Sequence, residues 1–133
     1  MAIILDADVI TRGEKGAFDL NSWLTGYPDE RFEIAAITIA ELWHGVERAT
    51  APYQARRVTY LQTILSSLPV AIYTEQTAYE HARIWASMEA AGKMPGYYDL
   101  IVAATAIERG SELATFNLRH FRAVPGLKLI EPK

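Results

Sequence analysis

The chain contains no cysteine. Disulfides and thiolate metal sites are therefore excluded, and the absence fits a reducing cytoplasm. No basic segment leads into an apolar one at the N-terminus, so no secretory signal is expected. The apolar runs fall far short of a membrane span. Nor is there an excess of basic residues: 13 Lys and Arg against 16 Asp and Glu give a net charge of -3. Nucleic acid would have to be met by a local basic patch or a bound cation, not by global charge. Also missing are a glycine-rich phosphate loop and a Gly-x-Ser-x-Gly elbow. What remains is a chain of 133 residues, half of them hydrophobic. That length and composition suit one globular domain spanning residues 1–133, with a sizeable core.

Apolar periodicity predicts alternating strands and helices. Strands are expected at Ala2–Asp6, Phe32–Ile37, Val70–Tyr73, Leu113–Thr115 and Leu127–Ile130. A short turn or helix should follow the first strand as far as Arg12. Longer helices are expected at Ala17–Thr25, Thr38–Ala49, Tyr53–Ser67, Thr74–Ala91 and Asp99–Arg109, with Lys93–Tyr98 as a loop. The helix from Asp99 is apolar on nearly all sides and should be central. Such alternation predicts an α/β fold with a mainly parallel sheet covered on both faces.

In open parallel sheets, sites form at the carboxyl ends of strands. Four polar residues fall there: Asp6, Glu41, Asp99 and Asn117. Each has a structural role on offer beside a functional one. Asp6 ends a buried strand, where an unpaired charge is costly, yet it could cap the turn that follows. Asp8 reads as the cap of the first helix. Thr38-Ile39-Ala40-Glu41 fits a capping box, with Glu41 in the first helical turn. Asp99 could cap its own helix, and Asn117 the Leu118–Phe121 turn. Their joint placement points further. Two carboxylates ~4 Å apart repel by about 4 kcal/mol at an effective dielectric near 20, so a converging cluster calls for a proton or a cation. All-oxygen ligands suit Mg²⁺ or Mn²⁺, and metal-assisted phosphodiester hydrolysis is the reaction class that follows. His44, His81 and His120 lack ligand-spaced partners and read as structural or surface residues.

The segments "IILDADVI" (Ile3–Ile10), "ITIAELWHGVERA" (Ile37–Ala49), "YYDLIVAATAIERGSELATFNLRHF" (Tyr97–Phe121) and "VPGLKLIEP" (Val124–Pro132) run through nearly the whole chain. In that order they resemble the PIN-domain ribonucleases, most closely the VapC toxins of type II toxin–antitoxin systems. The resemblance implies a three-layer α/β/α fold and Mg²⁺- or Mn²⁺-dependent endoribonuclease activity. It also implies a cognate antitoxin, an RNA substrate (tRNA, rRNA or mRNA) and homodimerisation. It assigns Asp6, Glu41 and Asp99 to the metal-holding acids and Asn117 to a fourth position that is often Asp. Position 7, commonly Thr or Ser in such proteins, is Ala7, leaving Thr38 and Thr115 as nearby hydroxyls. Arg12, Lys15, Arg48 and Lys93 lie near the site loops as candidate phosphate contacts. Two alternatives stay open: a PIN-fold binding protein with weak catalysis, and a haloacid-dehalogenase-type phosphatase with Asp6 as nucleophile and Asp8 as acid/base.

Overall fold

The computed structural model describes residues 2–133. Strand β1 (Ala2–Leu5) leads through Asp6 into helix α1 (Ala7–Glu14), followed by helix α2 (Leu20–Thr25). Strand β2 (Arg31–Ala35) runs straight into α3 (Ala36–Arg48), then α4 (Ala51–Leu65) and the short strand β3 (Val70–Ala71). The long helix α5 (Glu75–Ala91) and α6 (Tyr97–Arg109) precede β4 (Glu112–Ala114), α7 (Leu118–Phe121) and β5 (Leu129–Ile130). Among the described residues, no helix is long and apolar enough to cross a membrane.

The strands form one parallel sheet in the order β3-β2-β1-β4-β5. Because successive strand residues face opposite sides, β1 feeds two cores. Ile4 joins Ile84 and Met88 of α5 and Leu100, Val102 and Ala103 of α6 on one face. Ile3 and Leu5 join Val9 and Ile10 of α1, Trp23 of α2, Leu42 and Val46 of α3 and Leu61 of α4 on the other. This is the expected three-layer α/β/α arrangement, with α6 buried through its middle at Leu100 and Val102–Ala106. Gly92 and Gly110 end α5 and α6 with φ of 66° at both, a left-handed backbone that side chains disfavour.

Several boundaries differ from the sequence expectation. β2 stops at Ala35, two residues early, and α3 begins at once with Ala35 as a cap that makes no side-chain bond. Thr38 is thus the third residue inside α3 and Glu41 lies in its second turn, so the expected capping box does not form. α4 starts at Ala51 and tolerates Pro52 in its first turn, where the missing N–H has no helical partner anyway. α6 starts at Tyr97 with Gly96 as its cap. Asp99 is therefore a first-turn residue and not the cap. β3 and β5 are two residues each, shorter than the apolar runs around them.

Candidate active site

The sheet order turns back on itself at β1. The chain builds outward through β2 and β3, then returns to lay β4 on the other side of β1. A crevice opens at the carboxyl ends of the strands at such a point. Leu5 of β1 pairs with Ala114 of β4, and the Asp6 N–H donates to the Ala114 carbonyl at 2.9 Å. Asp6 and Thr115, the residues just beyond the two strands, are thereby held side by side.

Asp6 is 7% exposed. It caps α1, accepting from the Ala7 N–H at 2.9 Å through Oδ1. Its Oδ2 accepts from the Thr115 hydroxyl at 2.8 Å. The capping reading therefore holds for Asp6, and Thr115 engages its other oxygen. Asp8 does not cap α1, contrary to expectation, because Asp6 already occupies that position. Instead it reaches across to the loop after β4 and accepts from the Phe116 N–H at 3.1 Å. Thr115 also receives the Asn117 N–H at 3.0 Å. The loop carrying Asn117 is thus stitched to α1 and to Asp6.

The structure brings Asp6, Glu41 and Asp99 together closely enough to perturb one another. Burial first, then the charge of Asp8, with that of Asp99 a smaller contribution, pushes Asp6 up to about 6, although bonds from Thr115 and Ala7 oppose this. Glu41 is pushed up to about 7 by burial and by the charges of Asp6 and Asp99. Burial also raises Asp99, against the pull of His120, and raises Asp8 against the Phe116 N–H and Arg12. Carboxyl groups kept from ionising by burial and by each other are what a cation relieves.

Among the described residues, no three acidic or histidine side chains are gathered tightly enough to hold a metal by themselves. Mg²⁺ needs no such cage, since it commonly takes one or two carboxylates and keeps several waters. Glu41 Oε1 is buried without a hydrogen-bond partner, an oxygen that a metal-bound water would satisfy. The donor set is all oxygen and mutually repelling, so the residues present fit a hard divalent cation.

Asn117 precedes α7 and does not cap it with its side chain. Its amide lies 2.8 Å from His120 Nδ1, and the same nitrogen is 3.5 Å from Asp99 Oδ2. The sequence reading set His120 aside for want of a ligand-spaced partner, but its partners come from the start of α6 and the loop after β4. Of the two hydroxyls singled out, Thr115 engages the site, whereas Thr38 is buried with no partner for its oxygen. Arg12 stacks over Phe116 with its guanidinium carbon 4.3 Å from the ring centroid, which sets one basic group at the Asp8 edge. Lys15, Arg48 and Lys93 are exposed.

A family profile described as "PIN domain" matches residues 3–127. The tRNA(fMet)-specific endonuclease VapC of Salmonella typhimurium is 34% identical over 99 residues, covering 74% of each chain. Ribonuclease VapC1 of Rickettsia felis is 27% identical over 98% of this chain and 96% of its own. Among solved structures, DNA-bound VapBC from Salmonella typhimurium superposes with a TM-score of 0.89 at 26% identity, over 98% of both chains. VapBC2 from Rickettsia felis, bound to a DNA fragment from its promoter, shares the fold with a TM-score of 0.93 over the full length of both chains.

Proposed function

The chain belongs to the PIN-domain family, in its VapC ribonuclease branch, and from that premise we propose that Asp6, Glu41 and Asp99 hold a Mg²⁺ or Mn²⁺ ion with which this toxin hydrolyses RNA phosphodiester bonds. The observation that carries the reading is the mutual repulsion of these buried carboxyl groups at the carboxyl edge of β1, together with the unpartnered Glu41 oxygen. Family membership sets the phosphatase alternative aside. The geometry agrees, because Asp8 is spent on the Phe116 N–H.

Each residue has a distinct part. Asp6 is fixed at both oxygens, by the α1 N-terminus and by Thr115, so it presents its carboxylate in one orientation. Asp99, on the first turn of α6, supplies a second carboxylate. The bound cation supplies charge neutralisation at a phosphoryl oxygen and a lowered pKa for water. Glu41 has a buried Oε1 without a partner beside Asp6 and Asp99, where it would orient a water in the pocket. Asn117 contributes an amide in place of a fourth charge and is steadied by Thr115 and His120.

The partner is a cognate antitoxin, as in the VapBC complexes that the chain resembles. A second copy of the chain has a fitting surface in the strip of exposed Tyr73, Trp85 and Tyr97 with half-buried His81 between them, whose rings pack in series with centroids 5.4–6.2 Å apart. A cytoplasmic location suits an RNA substrate and a chain without cysteine.

Cleavage of RNA with Mg²⁺ present, compared between the wild type and the Asp6→Asn and Asp99→Asn variants, tests this directly. Both variants should lose at least a hundredfold in rate, since each removes a metal-holding charge. Full activity in either would sink the assignment.

A further inference from the structure

The acidic cluster leaves a phosphate with few donors to meet. Asp6, Asp8, Glu41 and Asp99 all repel it, and Arg12 serves only the Asp8 edge, beside Phe116. On the Asp99 side the nearest candidate is His120. It stands on α7, with its side chain 54% exposed. Its Nδ1 faces inward, 2.8 Å from the Asn117 amide and 3.5 Å from Asp99 Oδ2. An Nδ1 that accepts from that amide places the proton of the neutral ring on Nε2. Nε2 has no hydrogen-bond partner among the described residues. The ring is thus anchored at one nitrogen and leaves the other free to donate, beside a residue assigned to the metal.

We infer that His120 is a substrate-binding residue whose Nε2–H donates to a non-bridging phosphate oxygen of the RNA, on the Asp99 side of the metal. The inference rests on the ribonuclease reading above. Arg12 and His120 then flank the acidic cluster from its two sides, and the backbone of the RNA lies between them. The contact is a single side-chain donor, so it adds affinity without demanding a broad basic surface from an acidic chain.

Two near-isosteres separate the nitrogens. Gln at this position places an amide N–H near the former Nε2, whereas Asn reaches only as far as the former Nδ1. The measurement is binding of a short fluorescent single-stranded RNA that the wild type cuts, in the Asp6→Asn background so that the RNA is held and not cleaved. His120→Asn should weaken binding about tenfold and His120→Gln by no more than about threefold, in line with the loss of one hydrogen bond to a charged group. In otherwise wild-type protein the same loss should appear in KM more than in kcat. Equal affinity for His120→Asn and its parent would overturn the inference. So would equal losses in the two variants, which would make the ring an internal brace for Asn117 and Asp99. If the wild type cuts no RNA with any divalent metal, the ribonuclease reading fails and carries this inference with it. If it cuts while His120→Asn binds normally, only the role of His120 falls.

Discussion

The Thr115 hydroxyl donates to Asp6 Oδ2 at 2.8 Å, joining residues 109 positions apart in the chain. This bond reports on whether β4 has docked beside β1. It also favours the ionised form of Asp6, opposing the burial that raises it.

Removing the hydroxyl alone should therefore weaken the metal. Thr115→Val keeps the shape but loses the donor, and metal affinity should fall about 10- to 100-fold, as for other residues that orient a ligand. Thr115→Ser should restore most of it. Calorimetric titration with Mn²⁺ distinguishes the two.

The pH dependence of stability has a defined sign. Asp6 and Glu41 are raised to about 6 and about 7 in the folded protein, above unfolded values near 4. The folded state thus holds extra protons between those limits, and the unfolded state binds fewer. Stability from these groups is fully present below about pH 4 and is lost as pH rises towards 7. In EDTA, the melting temperature should drop between pH 5 and pH 8, by an amount corresponding to ~1–2 kcal/mol for Asp6. Saturating Mg²⁺ should remove most of that drop, and Asp6→Asn without metal should remove the part that belongs to Asp6, leaving that of Glu41. A flat profile in EDTA would contradict the mutual repulsion.

Asp8 and Asp6 should separate under substitution. Asp8→Asn keeps an oxygen for the Phe116 N–H and removes the neighbouring charge that raises Asp6. Its RNA cleavage should stay within about tenfold of wild type, against a hundredfold or greater loss for Asp6→Asn. Comparable losses would restore Asp8 as an equal member of the site.

Away from the site, Glu33 is 1% exposed in the middle of β2. Arg109 at the end of α6 grips it through both oxygens at 2.9 and 2.7 Å, and Arg31 adds a third contact at 3.1 Å. Arg109→Met should destabilise the fold by about 3–5 kcal/mol, because it leaves a buried charge with one exposed partner. The double variant Glu33→Leu with Arg109→Met should recover most of that loss. Urea denaturation of the three proteins measures it.

The fold was legible because its signals are local. The apolar run of β1, the stripes of α4 and α5 and the all-round apolar α6 each announce an element, and their alternation dictates a parallel sheet. Element ends were less legible. Thr38 and Glu41 have the spacing of a capping box, but β2 holds its pairing with β3 only to Ala35, and α3 begins three residues earlier than that box requires. The three acids could be picked out because the ends of parallel strands gather in space. Asp8 and His120 could not be placed that way. Their contacts depend on how the loop after β4 folds over α1 and α6, and no spacing in the sequence encodes that crossing.

β1 lies between two neighbours that the chain makes at very different times. β2 follows it closely, whereas β4 comes after both long helices of the opposite layer. No fragment ending before β4 contains Thr115, and none starting after β1 contains Asp6. A message broken just before β4 therefore yields a chain that carries all three acids but has nothing to hold Asp6 Oδ2.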